Sequence, residues 1–264
     1  MTAAFLNGSP AGADDLRALA VANYGHFTSM QVRDRAVRGL DLHLARLRDA
    51  TRELFGVGLD DARVLDAMRR ALDEAGGDCS LRVTVFSRRF DYRRPDGPVP
   101  VDVLTSVSPP TPETAPPVRV KSFEFVRPLP HIKHVGTFPL FHYRRQALVA
   151  GFDDALFVDD EGRVVEGSVW NAGFWDGGGV VWPQGPALRG TMERLLQLGL
   201  GELGVPQRTG PVRLDEVAGF AGAFAVNATG TRLVAGIDGK AMPQPPELPG
   251  LLARALGTRP REPL

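Results

Sequence analysis

The chain has 264 residues, 43% of them hydrophobic and 23% charged, with a formal net charge of +0. Such a length holds one large core or two modest ones, the composition is that of a soluble globular protein, and a neutral balance without a basic stripe speaks against nucleic acid as a partner. Cys79 is the only cysteine and the five histidines show no metal-ligand spacing, which excludes an internal disulfide and leaves no metal site to expect.

Ala3 to Leu6 reads as a short strand closed by Asn7-Gly8. The N-terminus lacks the charged-then-apolar order of a signal peptide, and no apolar run approaches the roughly 18 residues of a membrane span; a reducing cytoplasm is the expectation. Asp14 to Asn23 predicts a short helix, and His26 to Arg33 an alternating strand that turns at Asp34-Arg35 into a second one, Ala36 to Leu40. Alternation puts Phe27, Ser29 and Gln31 on one face of that sheet. Asp41 opens an amphipathic helix with Leu42, Leu44, Leu47, Ala50 and Leu54 on its apolar stripe and Gly56 as its stop. Asp60 to Ala75 is a further helix, ended by Gly76-Gly77. Strands are expected over Ser80 to Ser87 and Val99 to Ser106, joined by the arginine-rich turn Arg88 to Arg94, which reads as a solvated hairpin tip.

Five prolines between Ser108 and Pro117 make a stiff extended spacer and mark a domain boundary. This divides the chain into an N-terminal α/β domain, 1–107, and a C-terminal domain, 118–264. Beyond it, Val118 to Val126 alternates and Pro139 to Ala150 is helical. Short strands follow at Ala155 to Val158, Val164 to Glu166, Val169 to Trp175 and Val180 to Trp182. Gly190 opens a helix to about Leu203, and Leu214 to Ala218 gives a shorter one. Gly222 to Val226 and Arg232 to Ala235 are late strands, Ile237-Asp-Gly239 is a turn, and the proline-rich tail from Pro243 is expected to be partly mobile.

Among 31 basic residues only Lys121, Lys133 and Lys240 are lysines. An arginine cannot lose its proton to form an imine with an aldehyde, whereas a lysine can. Lys133, between His131 and His134, is thus a candidate nucleophile, although a lone lysine is more often structural.

Five segments resemble, in order, the motifs of the class IV aminotransferases, the pyridoxal phosphate (PLP) enzymes of fold type IV. His43-Leu-Ala-Arg46-Leu47 is similar to the "HxxRL" helix, and Ile132-Lys133 followed by a helix and Asp154-Ala-Leu-Phe-Val-Asp159 to the lysine segment. Glu166-Gly-Ser168 with Asn171 is similar to "EGSxxN", and Leu188-Arg-Gly-Thr-Met192 and Ile237-Asp-Gly239 to "LPGIT" and the final "DG" turn. The resemblance spans roughly residues 3 to 242. It implies a two-domain α/β fold, a smaller N-terminal and a larger strand-rich C-terminal domain with the cofactor in the cleft between them, and a homodimer.

By the same resemblance Lys133 forms the imine with PLP and then moves the substrate's α proton. Glu166 partners the pyridine nitrogen, where a carboxylate favours the protonated ring, and Arg46 clamps the phosphate. The helix start at Thr191 and Met192 offers free N–H groups to that phosphate, and Asn227-Ala228, or Thr229 two residues on, line its far side. Taken alone, Glu166 would read as a strand-end residue in water and Arg46 as a surface arginine. The sequence departs from the family in Arg189 for the turn's proline, Met192 for its hydroxyl and Glu193 for a common arginine. Phe138 replaces the tyrosine of branched-chain transaminases, which disfavours that subtype.

Two reactions compete. One is transamination from an amino acid or amine to a keto acid. The other is elimination with release of pyruvate, as in aminodeoxychorismate lyase, whose "FTT" strand Phe27-Thr-Ser29 resembles and whose "RGxGGRGY" segment Arg88 to Arg94 does not reproduce. The broader class, the aminotransferase, leads. Phe27, Ser29 and Gln31 would then face the substrate. A non-catalytic relative that only binds partners is the third reading, and the joint presence of Lys133, Glu166 and Arg46 argues against it.

Overall fold

An alternating strand has two chemically different faces, and Gly25–Val32 builds the first half of the protein on that difference. The computed structural model describes residues 3–112 and 115–264; positions 113 and 114, inside the proline-rich stretch, lie outside the described residues. Two compact units result. The first takes the chain up to 111 together with 132–136 and 261–264, and the second takes 112–131 and 137–260.

In the first unit β1 (Ala3–Leu6), β2 (Ser9–Pro10), β3 (Gly25–Val32), β5 (Cys79–Phe86) and β6 (Asp102–Ser108) form an antiparallel sheet in the order β2-β1-β6-β5-β3, and β4 (Ala36–Val37) lies beside it. Met30, Val32, Leu81, Val83, Val85, Val103 and Val107 point to one face. They pack against Leu44 and Leu47 of α2 (Leu40–Phe55) and Val64 and Met68 of α3 (Asp61–Ala75). The opposite face carries the row Ser29, Arg82, Ser106 and Ala4 and, beside it, the row Phe27, Thr84, Leu104 and Leu6, as the register dictates. The short helix α1 (Ala13–Ala22) covers the apolar end of this face, where Leu16 and Leu19 meet Leu6, Phe86 and Leu104.

Local chemistry sets the helix ends. Gly56 stops α2 at φ 65°, the left-handed region that a glycine enters without a Cβ penalty. The Asp60 side chain accepts the Ala62 N–H at 3.0 Å and starts α3. The second strand expected over Ala36 to Leu40 is only two residues long, because Gly39 at φ 67° turns the chain into α2.

The second unit contains β7 (Val118–Glu124), α4 (Phe138–Val149), β8 (Asp154–Val158), β9 (Val164–Gly167), β10 (Asn171–Trp175), β11 (Val180–Pro183), α5 (Thr191–Glu202), β12 (Gln207–Gly210), β13 (Gly222–Asn227), β14 (Gly230–Ile237), β15 (Lys240–Ala241) and α6 (Glu247–Gly257). The sheet runs β12-β11-β10-β13-β14-β7-β8-β9, with β15 on β14. Its pairs are parallel at β14·β7, β7·β8 and β11·β12, the last two bridged by α4 and α5. Strands β8, β9, β10 and β11 are buried along their whole length, as strands covered on both faces are.

Two expectations fail here. Leu214 to Ala218 is not a helix but ends in a single 3-10 turn, Val217–Gly219. Its start is tied edge-on to another segment, with Val164 N–H on the Val212 carbonyl and Leu214 N–H on the Gly162 carbonyl, so the backbone is not available for helix bonds. The tail from Pro243 is not loose: α6 buries Leu248, Leu252, Ala255 and Leu256.

Candidate active site

Lys133 sits on the open edge of the first unit's sheet. The Phe27 N–H donates to the Lys133 carbonyl at 2.9 Å, the Val135 N–H donates to the Gly25 carbonyl at 2.9 Å, and His26 and His134 form an antiparallel bridge. Residues 132–136 thus lie alongside β3, antiparallel to it, anchored by the buried Ile132. Lys133 pairs across from Phe27, and its ammonium lies 4.9 Å from the centre of that ring.

Behind β3 a buried polar cluster holds Arg46. Nε2 of His26 meets Thr51 Oγ1 at 2.9 Å, and Nδ1 of His43 meets Thr28 Oγ1 at 2.5 Å. Arg46 donates to Thr28 Oγ1 and approaches His43 Nδ1 at 3.3 Å. Burial, and then the Arg46 charge, pushes His26 down to about 3. Burial followed by Arg46 and Lys133 pushes His43 well below its usual range. Both imidazoles are therefore neutral. With Thr28 accepting from Arg46, its own proton goes to Nδ1, and His43 carries hydrogen on Nε2. Arg48, two residues on, is in a surface ion pair with Asp61.

In the second unit Glu166 stands on β9 with its carboxylate bonded to Arg127 Nε at 3.0 Å; both side chains are only 3% exposed. The motif around it is locally required. A Cβ on Gly167 would overlap the Trp170 indole, and Ser168 Oγ donates to Asp154 Oδ1 at 2.5 Å, Asp154 being fully buried.

Asn171 carries the chain from there to α5: its Nδ2 donates to the Leu188 carbonyl at 2.6 Å, and a Cβ on Gly190 would collide with its Oδ1. The first turn of α5 then presents the N–H groups of Thr191 and Met192, with Thr191 buried. Glu193 accepts the Gly190 N–H at 3.2 Å and pairs with Arg189 at 3.0 Å; burial pushes its carboxyl up, against the pull of Arg189. Arg189 also donates to the Pro183 and Gly185 carbonyls. It braces the turn in place of a proline, so the acid and the base that break the motif neutralise one another. At the β13–β14 hairpin, Asn227 Oδ1 accepts both the N–H and the hydroxyl of Thr229, at 2.9 and 2.6 Å, and its Nδ2 reaches the Val169 carbonyl. Ala228 forms the tip of that turn.

The first unit thus brings together Lys133, Phe27, Ser29, Gln31 and, behind them, Arg46. The second holds Glu166, Thr191, Met192, Asn227 and Ala228. Gln31 is already engaged, since its amide donates to Ser80 Oγ at 2.8 Å and accepts the Thr111 N–H at 3.0 Å. Sequence reasoning missed Thr28 and His43 as supports of Arg46, Arg127 as the partner of Glu166, and Arg82 on the Phe27 face. The available signal for Arg82 was a lone arginine inside a strand of β-branched residues. Among the described residues no group of three metal-ligating side chains occurs, and no helix is long and apolar enough to cross a membrane.

No curated protein sequence matches the chain. Solved structures do match. A hypothetical aminotransferase from Mycobacterium tuberculosis in its PLP-bound form superposes with a TM-score of 0.79 at 21% identity, over 98% of this chain and 99% of that one. A branched-chain aminotransferase from the archaeon Thermoproteus uzoniensis, with norvaline, gives 0.81 at 18%, over 97% and 95%. A candidate 4-amino-4-deoxychorismate lyase from Legionella pneumophila gives 0.79 at 19%, over 93% and 94%. At these identities the likeness shows the shared fold. The model of the amino-transferase class IV family matches residues 25–237, most of the chain, and covers the motif segments from His43 to Met192 in full. The chain belongs to the class IV aminotransferase family, the PLP-dependent transferases and lyases of fold type IV.

Proposed function

We propose that the protein is an aminotransferase that moves an amino group from an amino acid or amine to a keto acid, with Lys133 as its catalytic residue. The observation that carries this reading is the placement of Lys133: two backbone hydrogen bonds fix its segment on the edge of β3, with the ammonium over Phe27. A lysine serving only solubility needs no such fixing.

The donor set fits PLP, whose aldehyde takes up an amine and whose conjugated ring accepts the electrons released when a proton leaves the α carbon. Lys133 supplies the amine for the aldehyde, and its Nζ is the atom that takes and returns the α proton. Arg46, its guanidinium oriented by Thr28 and His43, suits the phosphate as a planar fork. The Thr191 and Met192 N–H groups add the start of α5, where the helix dipole favours an anion, and the Asn227-Ala228 turn adds a further backbone contact. The cradle is shaped for it: Gly190 admits no side chain beside Asn171. Glu166 is suited to the pyridine nitrogen. Arg127 fixes the carboxylate's orientation, and deep burial keeps competing water from it. Phe27 and Ser29 lie toward the substrate. The family resemblance supports a homodimer, and the single, buried, free thiol of Cys79 supports a reducing cytoplasm.

The test is an absorption spectrum of the purified protein, with PLP added and the excess removed, beside Lys133→Ala. A retained band of bound cofactor in the wild type, lost in the variant, is expected, followed by keto-acid-dependent consumption of amino donors. Pyruvate released without any keto acceptor would instead assign the lyase reaction. A wild type without the band would remove the cofactor assignment altogether.

A further inference from the structure

The first turn of α5 carries a buried acid beside the N–H groups assigned above to phosphate. Glu193 is 1% exposed. Its side chain folds back along the turn, so that Oε2 accepts the Gly190 N–H at 3.2 Å and Oε1 accepts an Arg189 N–H at 3.0 Å. Gln197, one turn on, donates to the same Oε1 at 3.5 Å. Three donors thus hold the carboxylate at the start of the helix.

An acid in the first turn favours a helix, because it answers the positive end of the dipole and one unpaired N–H group. A phosphate at that place uses the same two features. Glu193 and a phosphate on Thr191 and Met192 are therefore competitors: the acid occupies the Gly190 N–H, and its charge has the sign of the phosphate's. Arg189 offsets that charge incompletely. Its side chain is 40% exposed against 1% for Glu193, and the Pro183 and Gly185 carbonyls hold its other end. Water therefore screens the arginine more than the acid. Burial opposes the charge of Glu193, Arg189 and the Gly190 N–H favour it, and Glu166 opposes it as a like charge. The field of Glu193 thus reaches the carboxylate proposed for the cofactor's other end.

We propose that Glu193 weakens the hold of α5 on the cofactor's phosphate, with Arg189 as the counter-charge that limits the repulsion, so that this pair sets how readily the protein gives up its cofactor. Glu193 touches no reacting atom; it acts through the N–H groups of the turn and through its field. The inference rests on the placement of the phosphate at α5 in the proposed function and deepens it. Whenever the cofactor is not joined to Lys133, non-covalent contacts alone retain it, and this charge then governs its loss.

The experiment measures binding of pyridoxamine 5'-phosphate, which has no aldehyde for a lysine, to the full chain dialysed free of cofactor at pH 8. Wild type is compared with Glu193→Gln, Arg189→Gln and Arg189→Lys. Glutamine keeps an oxygen for the Gly190 N–H and loses only the charge, so Glu193→Gln is expected to bind at least twofold more tightly. A smaller gain, or a loss, overturns the proposal, since a side chain that only caps the helix gives no gain when its charge is removed. Pyridoxamine, the ring without phosphate, gains nothing in Glu193→Gln; an equal gain there would place the effect at the ring and overturn the proposal. Arg189→Gln binds at least twofold more weakly, whereas Arg189→Lys, which keeps the charge and loses the fork, stays within twofold of wild type. If Glu193→Gln does not fold, the two arginine variants decide: that pattern supports the proposal and any other overturns it. A wild type that binds no pyridoxamine 5'-phosphate retires the cofactor assignment itself, whereas a wild type that binds it as well as Glu193→Gln does retires this inference alone.

Discussion

Burial decides the charge state of the groups around Arg46, and this has a measurable consequence. His26 is held down at about 3 and His43 well below the ordinary 6.5. Once the pH drops below 6.5 the unfolded chain takes up protons that these folded-state histidines refuse, so stability falls as the pH falls. The slope is about 1.4 kcal/mol per pH unit for each histidine. Glu193 acts in the opposite sense, since its raised pKa makes the folded state bind its proton first on acidification; one group against two leaves the histidines dominant. Urea unfolding at pH 7.5 and 5.5 should show the loss, and a stability that rises toward pH 5.5 would contradict the buried neutral pair. A second prediction concerns Arg127. Removing one partner of a buried ion pair strands the other charge, so Arg127→Met should lower unfolding stability by about 3–5 kcal/mol; a loss under 1 kcal/mol would mean that water reaches Glu166. Lys133, Arg46 and Glu166 were singled out as candidates in the sequence because each sits inside a spaced motif. Arg82 and Arg127 were not, because in an arginine-rich chain another arginine is background until its burial and its partners are known.

Strong amphipathic segments were legible as elements: α2 and α3 fall within a residue of their expected limits, since stripe and terminal glycine agree in both and α3 adds the Asp60 N-cap. The two-residue strands were not, because pairing rather than local pattern creates them. Most instructive is α6, hidden in a tail whose prolines suggested looseness. Its Leu248, Leu252, Ala255 and Leu256 recur at helical spacing, and all are buried. The contact with α5 is close: a Cβ on Gly199 would overlap the Ala255 carbonyl. Gly199 is therefore fixed by packing and not by backbone freedom, and Gly199→Ala should separate the helices at a cost of about 1–3 kcal/mol. Leu252→Ala should cost about 2–5 kcal/mol by leaving a cavity. Thermal unfolding of the two variants tests both, and wild-type melting in either would show that α6 contributes little to the second unit.

At the scale of the whole molecule, the proposed cofactor ligands are divided between the units: Arg46 and Lys133 in one, Glu166, Thr191 and Met192 in the other. Such a ligand set exists only in the folded chain, so bound PLP must stabilise folding by mass action, by about 2.7 kcal/mol at 100 times its dissociation constant. Melting with and without PLP reads that gain. PLP also reacts with exposed amines in general, but this chain supplies an internal control, because Lys121 and Lys240 are the only other lysines. Both remain in Lys133→Ala, so any stabilisation from casual imines survives that substitution. The gain should therefore shrink in Lys133→Ala without vanishing, since the phosphate ligands are untouched, and should shrink further when Arg46→Ala is added. Equal gains in wild type and Lys133→Ala would show that the cofactor is held elsewhere, and the position of Lys133 on the edge of β3 would then need another reason.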